Sequence, residues 1–257
     1  MSEGEDRPSD RVFGDLIRSL MDDPPAEGPA PSARLDTGRV TRKGVPEVVF
    51  APGKTTGQIL DIVRTMLSTS GTVVVSRVDA PLVEQLRGEF PGASVEHRAG
   101  TWTVAVREPG RQPPRTGGRV AIITAGTSDI PAAEEARVVA EEMGCEVTLL
   151  ADMGVAGLHR LFGPLRRVID DGVHAIVVVA GMDGALPSVV AGLVPVPVIG
   201  LPTSVGYGYG GGGQAALMSM LQTCAPGLTV VNIDNAVGAG ASAAMIANAV
   251  ARGGVRS

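Results

Sequence analysis

Apolar positions along this chain change their period several times, and each change marks an element. From residue 119 onward, short continuous apolar runs alternate with longer segments of helical spacing. Strands are predicted on these runs at Val120 to Thr124, Glu146 to Leu150, Ala175 to Val179, Val196 to Gly200 and Thr229 to Asn232. Helices are predicted over Ile130–Met143, 155–170, 213–222 and Ala236–Ala251. Strands without apolar–polar alternation are buried on both faces, as in a parallel sheet covered by helices. Five of them predict an α/β fold with a flavodoxin-like, doubly wound parallel sheet.

Residues 45–106 read as a smaller α/β unit. Strands are predicted at Val48–Phe50, Thr72–Ser76, Val95–His97 and Thr101–Arg107, with helices at Thr55–Leu67 and Ala80–Phe90. Further upstream, positions 12, 13, 16, 17, 20 and 21 are apolar behind Asp10, which predicts a helix over 10–22. Residues 23–34 are rich in proline and alanine and read as a flexible linker. A second proline- and glycine-rich stretch covers 108–118. The chain therefore divides into an N-terminal helical arm and linker (1–35), a small α/β domain (36–107), a linker (108–118) and a doubly wound domain (119–257). The arm is expected to pack on a partner or a neighbouring subunit.

Composition narrows the partners. The chain has 257 residues, 44% hydrophobic, and a net charge of −5, which argues against a nucleic-acid surface. Aromatics at 3% also argue against base-stacking platforms. Two cysteines, Cys145 and Cys224, give neither a disulfide framework nor a zinc site. The start is acidic, unlike a secretory leader, and the longest apolar run, 185–202, is broken by four prolines. A soluble cytoplasmic protein is expected, bound to no membrane.

Ligands of such sheets bind beyond the carboxyl ends of the strands, so the residues there come first. The first strand runs into Gly126, Thr127, Ser128 and Asp129 ahead of Pro131. These residue types cap helices, and a helix N-terminus also attracts a ribose or a phosphate. His159 and Arg160 fall at the mouth of the helix after the second strand; arginine suits a phosphate. The third strand ends in Gly181, Met182, Asp183 and Gly184, where a carboxylate is a general acid or base, or a turn residue. The fourth leads into Ser204, Gly206, Tyr207 and Gly208, a glycine-rich loop that matches neither a P-loop nor a dinucleotide fingerprint. Such a loop can wrap a flat ligand. Cys224 follows the next helix and is read as lying near the ligand edge, where a thiol is a candidate nucleophile; the alternative is a small buried hydrophobe. His97 and His174 carry no surrounding motif and are read as structural. The final helix opens with small residues (236–244), suited to close packing against the sheet or between subunits.

Taken in order, Gly-Thr-Ser-Asp at 126–129, Leu-His-Arg at 158–160, Ala-Gly-Met-Asp-Gly-Ala-Leu-Pro at 180–187 and Val-Pro-Val-Ile-Gly-Leu-Pro at 196–202 resemble the aminoimidazole ribonucleotide carboxylase/mutase family. That family has a histidine before its Leu-Pro, where this chain has Ala185. The chain is more similar to the pyridinium-3,5-biscarboxylic acid mononucleotide synthase family of nickel-pincer nucleotide cofactor synthesis. There the resemblance extends to Arg39–Phe50, Lys54, the Thr203–Gly208 loop and Cys224. Asp183 stands where that family commonly carries glutamate, a shorter carboxylate of the same charge.

The resemblance implies carboxylation of nicotinic acid adenine dinucleotide by carbon dioxide or bicarbonate, with loss of AMP. It implies a Cys224 adduct on the pyridinium ring, Asp183 as the base, and His159 among the catalytic residues. Gly126, Thr127, Ser128, Asp129, Arg160, Gly181, Met182, Gly184, Ser204, Gly206, Tyr207, Gly208, Arg39, Arg42 and Lys54 are then the substrate-binding residues. The hydrolytic step needs charge neutralisation, from Arg160, N-terminal basic residues or a magnesium ion. No motif fixes a metal site, and no tightly bound cofactor is expected. A homo-oligomer, an octamer by analogy with related sheets, is expected. The rivals are an aminoimidazole ribonucleotide carboxylase or mutase, a non-catalytic nucleotide-binding module, and a structural assembly protein.

Overall fold

A computed structural model describes residues 43–254 together with Gly14, Leu35, Asp36 and Arg39. The helix expected over 10–22 therefore lies, apart from Gly14, outside the described residues, as do the 23–34 linker and Arg42.

The first unit runs β1 (Val48–Phe50), α1 (Thr56–Ser70), β2 (Thr72–Ser76), α2 (Ala80–Glu89), β3 (Ser94–His97) and β4 (Thr103–Arg107). Its sheet has the order β1-β2-β4-β3, with β1 and β2 parallel and the other pairs antiparallel. Helix α1 begins at a capping box: the Gln58 amide donates to Thr55 Oγ1 at 3.3 Å, and the Thr55 amide donates to Gln58 Oε1 at 2.9 Å. It ends at Gly71, whose φ of 70° closes the helix in the left-handed region.

The two faces of this sheet do different work. Val49, Val73, Val75, Val104 and Val106 pack under α1 and α2 with Ile59, Val63, Met66 and Leu86. The other face carries Thr72, Ser76, Thr103 and Arg107, all buried, because a helix of the second unit covers it.

That second unit runs β5 (Arg119–Thr124), α3 (Ile130–Glu142), β6 (Glu146–Leu150), α4 (His159–Asp170), β7 (Ala175–Ala180), α5 (Leu186–Ala191), β8 (Val198–Pro202), α6 (Gln214–Leu221), β9 (Leu228–Val230) and α7 (Ala236–Gly254). Its five strands are parallel in the order β6-β5-β7-β8-β9, the flavodoxin-like arrangement. Val120, Ile122, Val177 and Val179 face α3 and α7. Ala121, Ile123, Ile176 and Val178 face α4, α5 and α6. Alternate residues of the central strands β5, β7 and β8 thus feed opposite cores, which is why those strands read as nearly unbroken apolar runs.

Several elements differ from the sequence reading; β4 begins at Thr103 and β9 spans Leu228–Val230. Strand β8 begins at Val198 rather than Val196, because Pro197 has no amide to give and contributes only its carbonyl, which accepts from Ile176 at 3.0 Å. The helix expected over 155–170 is a 3-10 turn at Val155–Gly157 followed by α4 from His159. Helix α5 was not expected, being six residues long with no side-chain cap. The small residues of α7 serve the chain's own core. A Cβ on Gly240 would lie 2.3 Å from the Ala136 carbonyl oxygen of α3, so these two helices touch backbone to backbone.

The units meet through buried ion pairs as well as apolar contacts, with Val45, Val48 and Trp102 packed against the core of the second unit. Glu142 of α3 accepts from Arg107 Nε at 2.6 Å and from Thr72 Oγ1 at 3.0 Å, and both charged side chains are nearly inaccessible. Arg107 also reaches Glu96 at 2.7 Å. Arg98 reaches Glu134 at 2.5 Å. Removing one member strands a buried charge. Arg107→Ala is expected to cost about 3 kcal/mol in urea unfolding, and Arg107→Met with Glu142→Leu clearly less. Equal losses in both would contradict this account of the seam.

Candidate functional site

The carboxyl edge of the second sheet is built from the loops after β5, β6, β7, β8 and β9. Backbone strain concentrates there. Among the described residues, the non-glycine positions with positive φ are Arg77, Asp152, Met182 and Asp234, at 60°, 61°, 51° and 58°. Arg77 and Met182 come directly or next but one after β2 and β7; Asp152 and Asp234 follow β6 and β9 within four residues. Such conformations persist only where the surroundings hold them, and they cluster at functional loops.

A buried clip ties these loops together. Asp129, 3% exposed, sits at the start of α3. Its Oδ1 accepts from Thr203 Oγ1 at 2.7 Å, and its Oδ2 from the Gly126 amide at 3.0 Å. The Gly181 amide bonds the same carboxylate. Strand ends β5, β7 and β8 are thus joined through one side chain. A Cβ on Gly181 would fall 2.1 Å from the Val205 carbonyl oxygen, so only glycine fits there. Strand β9 joins through Asp234, whose Oδ1 accepts from the Ser204 amide at 2.9 Å and whose own amide donates to the Pro202 carbonyl at 2.9 Å.

Burial raises the Asp129 pKa above its ordinary value, and the nearby Asp234 charge adds to this; Thr203, Gly126 and Gly181 oppose it. A raised folded-state pKa gives this group a stabilising contribution that is full below the unfolded pKa and lost as pH rises through the folded one. Carbon-detected NMR titration should place the Asp129 midpoint above that of an exposed aspartate, and Thr203→Val should raise it further. A midpoint below the ordinary value would contradict the burial argument.

The sequence candidates fall into several groups. Thr127 and Ser128 are exposed on the 3-10 turn after β5. Asp129 does not cap α3; it is buried, and both its oxygens hold the clip. Gly181, Met182, Asp183 and Gly184 lie at the end of β7, with Asp183 exposed. Ser204, Gly206, Tyr207 and Gly208 form the loop after β8; the Met182 amide donates to the Val205 carbonyl at 2.9 Å and seats the loop on β7. Tyr207 stands 82% exposed. His159 is exposed at the start of α4, and Arg160 forms an exposed ion pair with Asp152. All of these share the carboxyl edge.

In the first unit, Lys54 lies beyond the end of β1 and donates to the Phe50 carbonyl at 2.8 Å. Arg39 instead pairs with Glu47 at 3.1 Å, ahead of β1, so the structure does not group it with Lys54. His97 and His174 each have a backbone partner, the Thr101 carbonyl at 3.0 Å and the Arg119 amide at 3.1 Å.

Cys224 is the main correction. It is exposed, and it does not lie at the ligand edge of its own sheet. Helix α6 starts where Gly213 packs on the Thr203 carbonyl and runs back across the sheet, with Met220 against Gly200 in mid-β8. Just after Cys224, the Gly227 carbonyl accepts from the Val198 amide at 3.0 Å, at the first residue of β8. The thiol therefore stands at the amino edge. The five residues of β8 alone separate the edges by roughly 16 Å at ~3.3 Å per residue. Cys145 is buried, its thiol pushed up to about 11 by desolvation, and is structural.

Asp234, Arg77 and Trp102 were missed by sequence reasoning, and Thr203 was read only as part of the loop after the fourth strand. Asp234-Asn235 ahead of a helix was the one visible signal, a turn or cap pair. Two clefts, of about 490 and 640 Å³, open near Arg119, Glu146 and the 112–118 linker at the amino edge, and none of the candidate residues lines them. Among the described residues, no group of three or more His, Cys, Asp or Glu side chains is placed to hold a metal ion. None of their helices is long and apolar enough to cross a membrane.

Known proteins resemble this chain in sequence. Residues 119–253 match the AIR carboxylase family, and residues 29–107 match the LarB/PurE-like N-terminal domain. The chain is 41% identical over 219 residues to the uncharacterized protein MJ0165 of Methanocaldococcus jannaschii, covering 83% of each. It is 31% identical over 131 residues to the N5-carboxyaminoimidazole ribonucleotide mutase of Thermotoga maritima, covering 50% of this chain and 74% of that one.

Proposed function

From the premise that this chain belongs to the AIR carboxylase family and sets a LarB/PurE-like domain ahead of a carboxylase-type core, we propose that it carboxylates the pyridinium ring of nicotinic acid adenine dinucleotide and hydrolyses the phosphoanhydride. The products are pyridinium-3,5-biscarboxylic acid mononucleotide and AMP. The observation that carries this reading is the order of the two domains, which an aminoimidazole ribonucleotide mutase of core length alone does not need.

The chemistry follows from the electron demand of the ring. A pyridinium is electron-poor and does not attack carbon dioxide. Addition of the Cys224 thiolate forms a carbon–sulfur bond and leaves an enamine-like dihydropyridine. Its nucleophilic carbon bonds carbon dioxide. Asp183 takes the proton from that carbon, the carbon–sulfur pair returns to sulfur, and the ring is aromatic again. Water then opens the phosphoanhydride, with Arg160 and Lys54 balancing its charge. Thr127, Ser128 and the 204–213 loop hold the ribose and phosphates and limit water entry.

Cys224 and Asp183 occupy opposite edges of one chain's sheet, so in this reading the thiolate comes from a second copy. Met218 and Leu221, 66% and 65% exposed on α6 beside Cys224, supply an apolar flank for that copy to cover. Release of AMP from nicotinic acid adenine dinucleotide, dependent on bicarbonate, tests the reading. AMP release that ignores bicarbonate would reject the coupled reaction.

The second reading is turnover of aminoimidazole ribonucleotide, favoured by the identity to the Thermotoga maritima mutase. Ala185 in place of that family's histidine, on the turn that opens α5, counts against it.

A further inference from the structure

We propose that Arg77 is the positioning residue through which the N-terminal unit sets the glycine-rich loop of the core. Strand β2 runs antiparallel to α3: Thr72 bonds Glu142 at one end and Ser76 bonds Glu135 nearer the other. The carboxyl end of β2 therefore arrives at the start of α3, which is the carboxyl edge of the second sheet. Arg77 is the first residue beyond it.

Its backbone is in the left-handed region, at a φ of 60°, and three contacts over-determine it. The guanidinium lies 4.1 Å from the centroid of the Trp102 ring. Its Nε is 3.5 Å from Glu135 Oε2, which also accepts from Trp102 Nε1 at 3.0 Å. Its Nη2 donates to the Asp234 carbonyl at 3.1 Å. Asp234 is the left-handed residue whose carboxylate holds the Ser204 amide. The relay runs from Trp102 and Glu135 through Arg77 and Asp234 to Ser204, near the start of the loop. A charged donor on the Asp234 carbonyl fixes a turn that would otherwise relax, because hydrogen bonds to charged groups are the stronger kind. Arginine suits this place: one planar group stacks on an aromatic face, meets a carboxylate and still has a donor to spare. Through Arg77 the N-terminal unit thereby acts on the loop without that residue touching substrate. The catalytic part of this inference rests on the function proposed above; the structural part does not.

The test compares Arg77→Ala and Arg77→Lys with the wild type in the full chain. Hydrogen exchange of peptides spanning 203–213 should accelerate about tenfold in Arg77→Ala, while peptides from β5 and β7 keep their protection. Arg77→Lys keeps a positive charge beside Glu135 but loses the fork, and should give an intermediate acceleration; it also serves if the alanine variant fails to fold. With nicotinic acid adenine dinucleotide, KM should rise about tenfold with kcat changed much less, since the loop binds rather than reacts. Unchanged exchange at 203–213 in both variants would overturn the proposal. Accelerated exchange in an enzyme whose wild type has no turnover would uphold the positioning role and reject the function.

Discussion

Replacing Cys224 by alanine or serine should abolish carboxylation, by on the order of a thousandfold or more, while leaving the fold intact. The side chain is exposed in a loop between α6 and β9 and supports no core packing. A thermal unfolding midpoint within a degree or two of wild type is therefore expected. The effect on rate is large because the thiolate is what makes an electron-poor ring nucleophilic, and no neighbouring group can replace it. Activity retained in Cys224→Ala would remove the covalent step, although a carboxylase-type function would stand.

Asp183→Asn should lose about 10²- to 10⁴-fold in carboxylation, the range of a general base. The two variants together give a sharper result. If each site takes its thiol from one copy and its carboxylate from another, mixed assemblies of Cys224→Ala and Asp183→Asn regain activity. Random mixing restores about one quarter of wild-type turnover, one half times one half. If both groups served from the same chain, the mixture would stay inactive. This outcome decides whether the amino-edge position of Cys224 is an assembly feature or a reason to discard it.

Much of the fold was legible because its signals are local. Ala175–Val179 and Val120–Thr124 read as strands since both their faces are buried and every position is apolar or small. Thr55 and Gln58 announce α1 by a capping box that needs nothing beyond the helix itself. Helix α5 was hidden because it is only six residues long and has no side-chain cap to mark its start. The site was legible only in part. Glycine-flanked strand ends located the loops, but the clip between Asp129 and Thr203 spans 74 residues. The bond from Arg77 to the Asp234 carbonyl spans 157, and no spacing foretells it. The misplaced edge of Cys224 has a simpler origin. One helix carries the chain back across a parallel sheet, so a residue between that helix and the next strand belongs to the amino edge.

The central claim is tested most directly by mass spectrometry of the products formed from nicotinic acid adenine dinucleotide and ¹³C-bicarbonate by the wild-type chain, beside an identical incubation with aminoimidazole ribonucleotide. The account predicts a labelled biscarboxylated pyridinium mononucleotide and AMP from the first, and no labelled product from the second. Label in aminoimidazole ribonucleotide with none in the pyridinium nucleotide would contradict it.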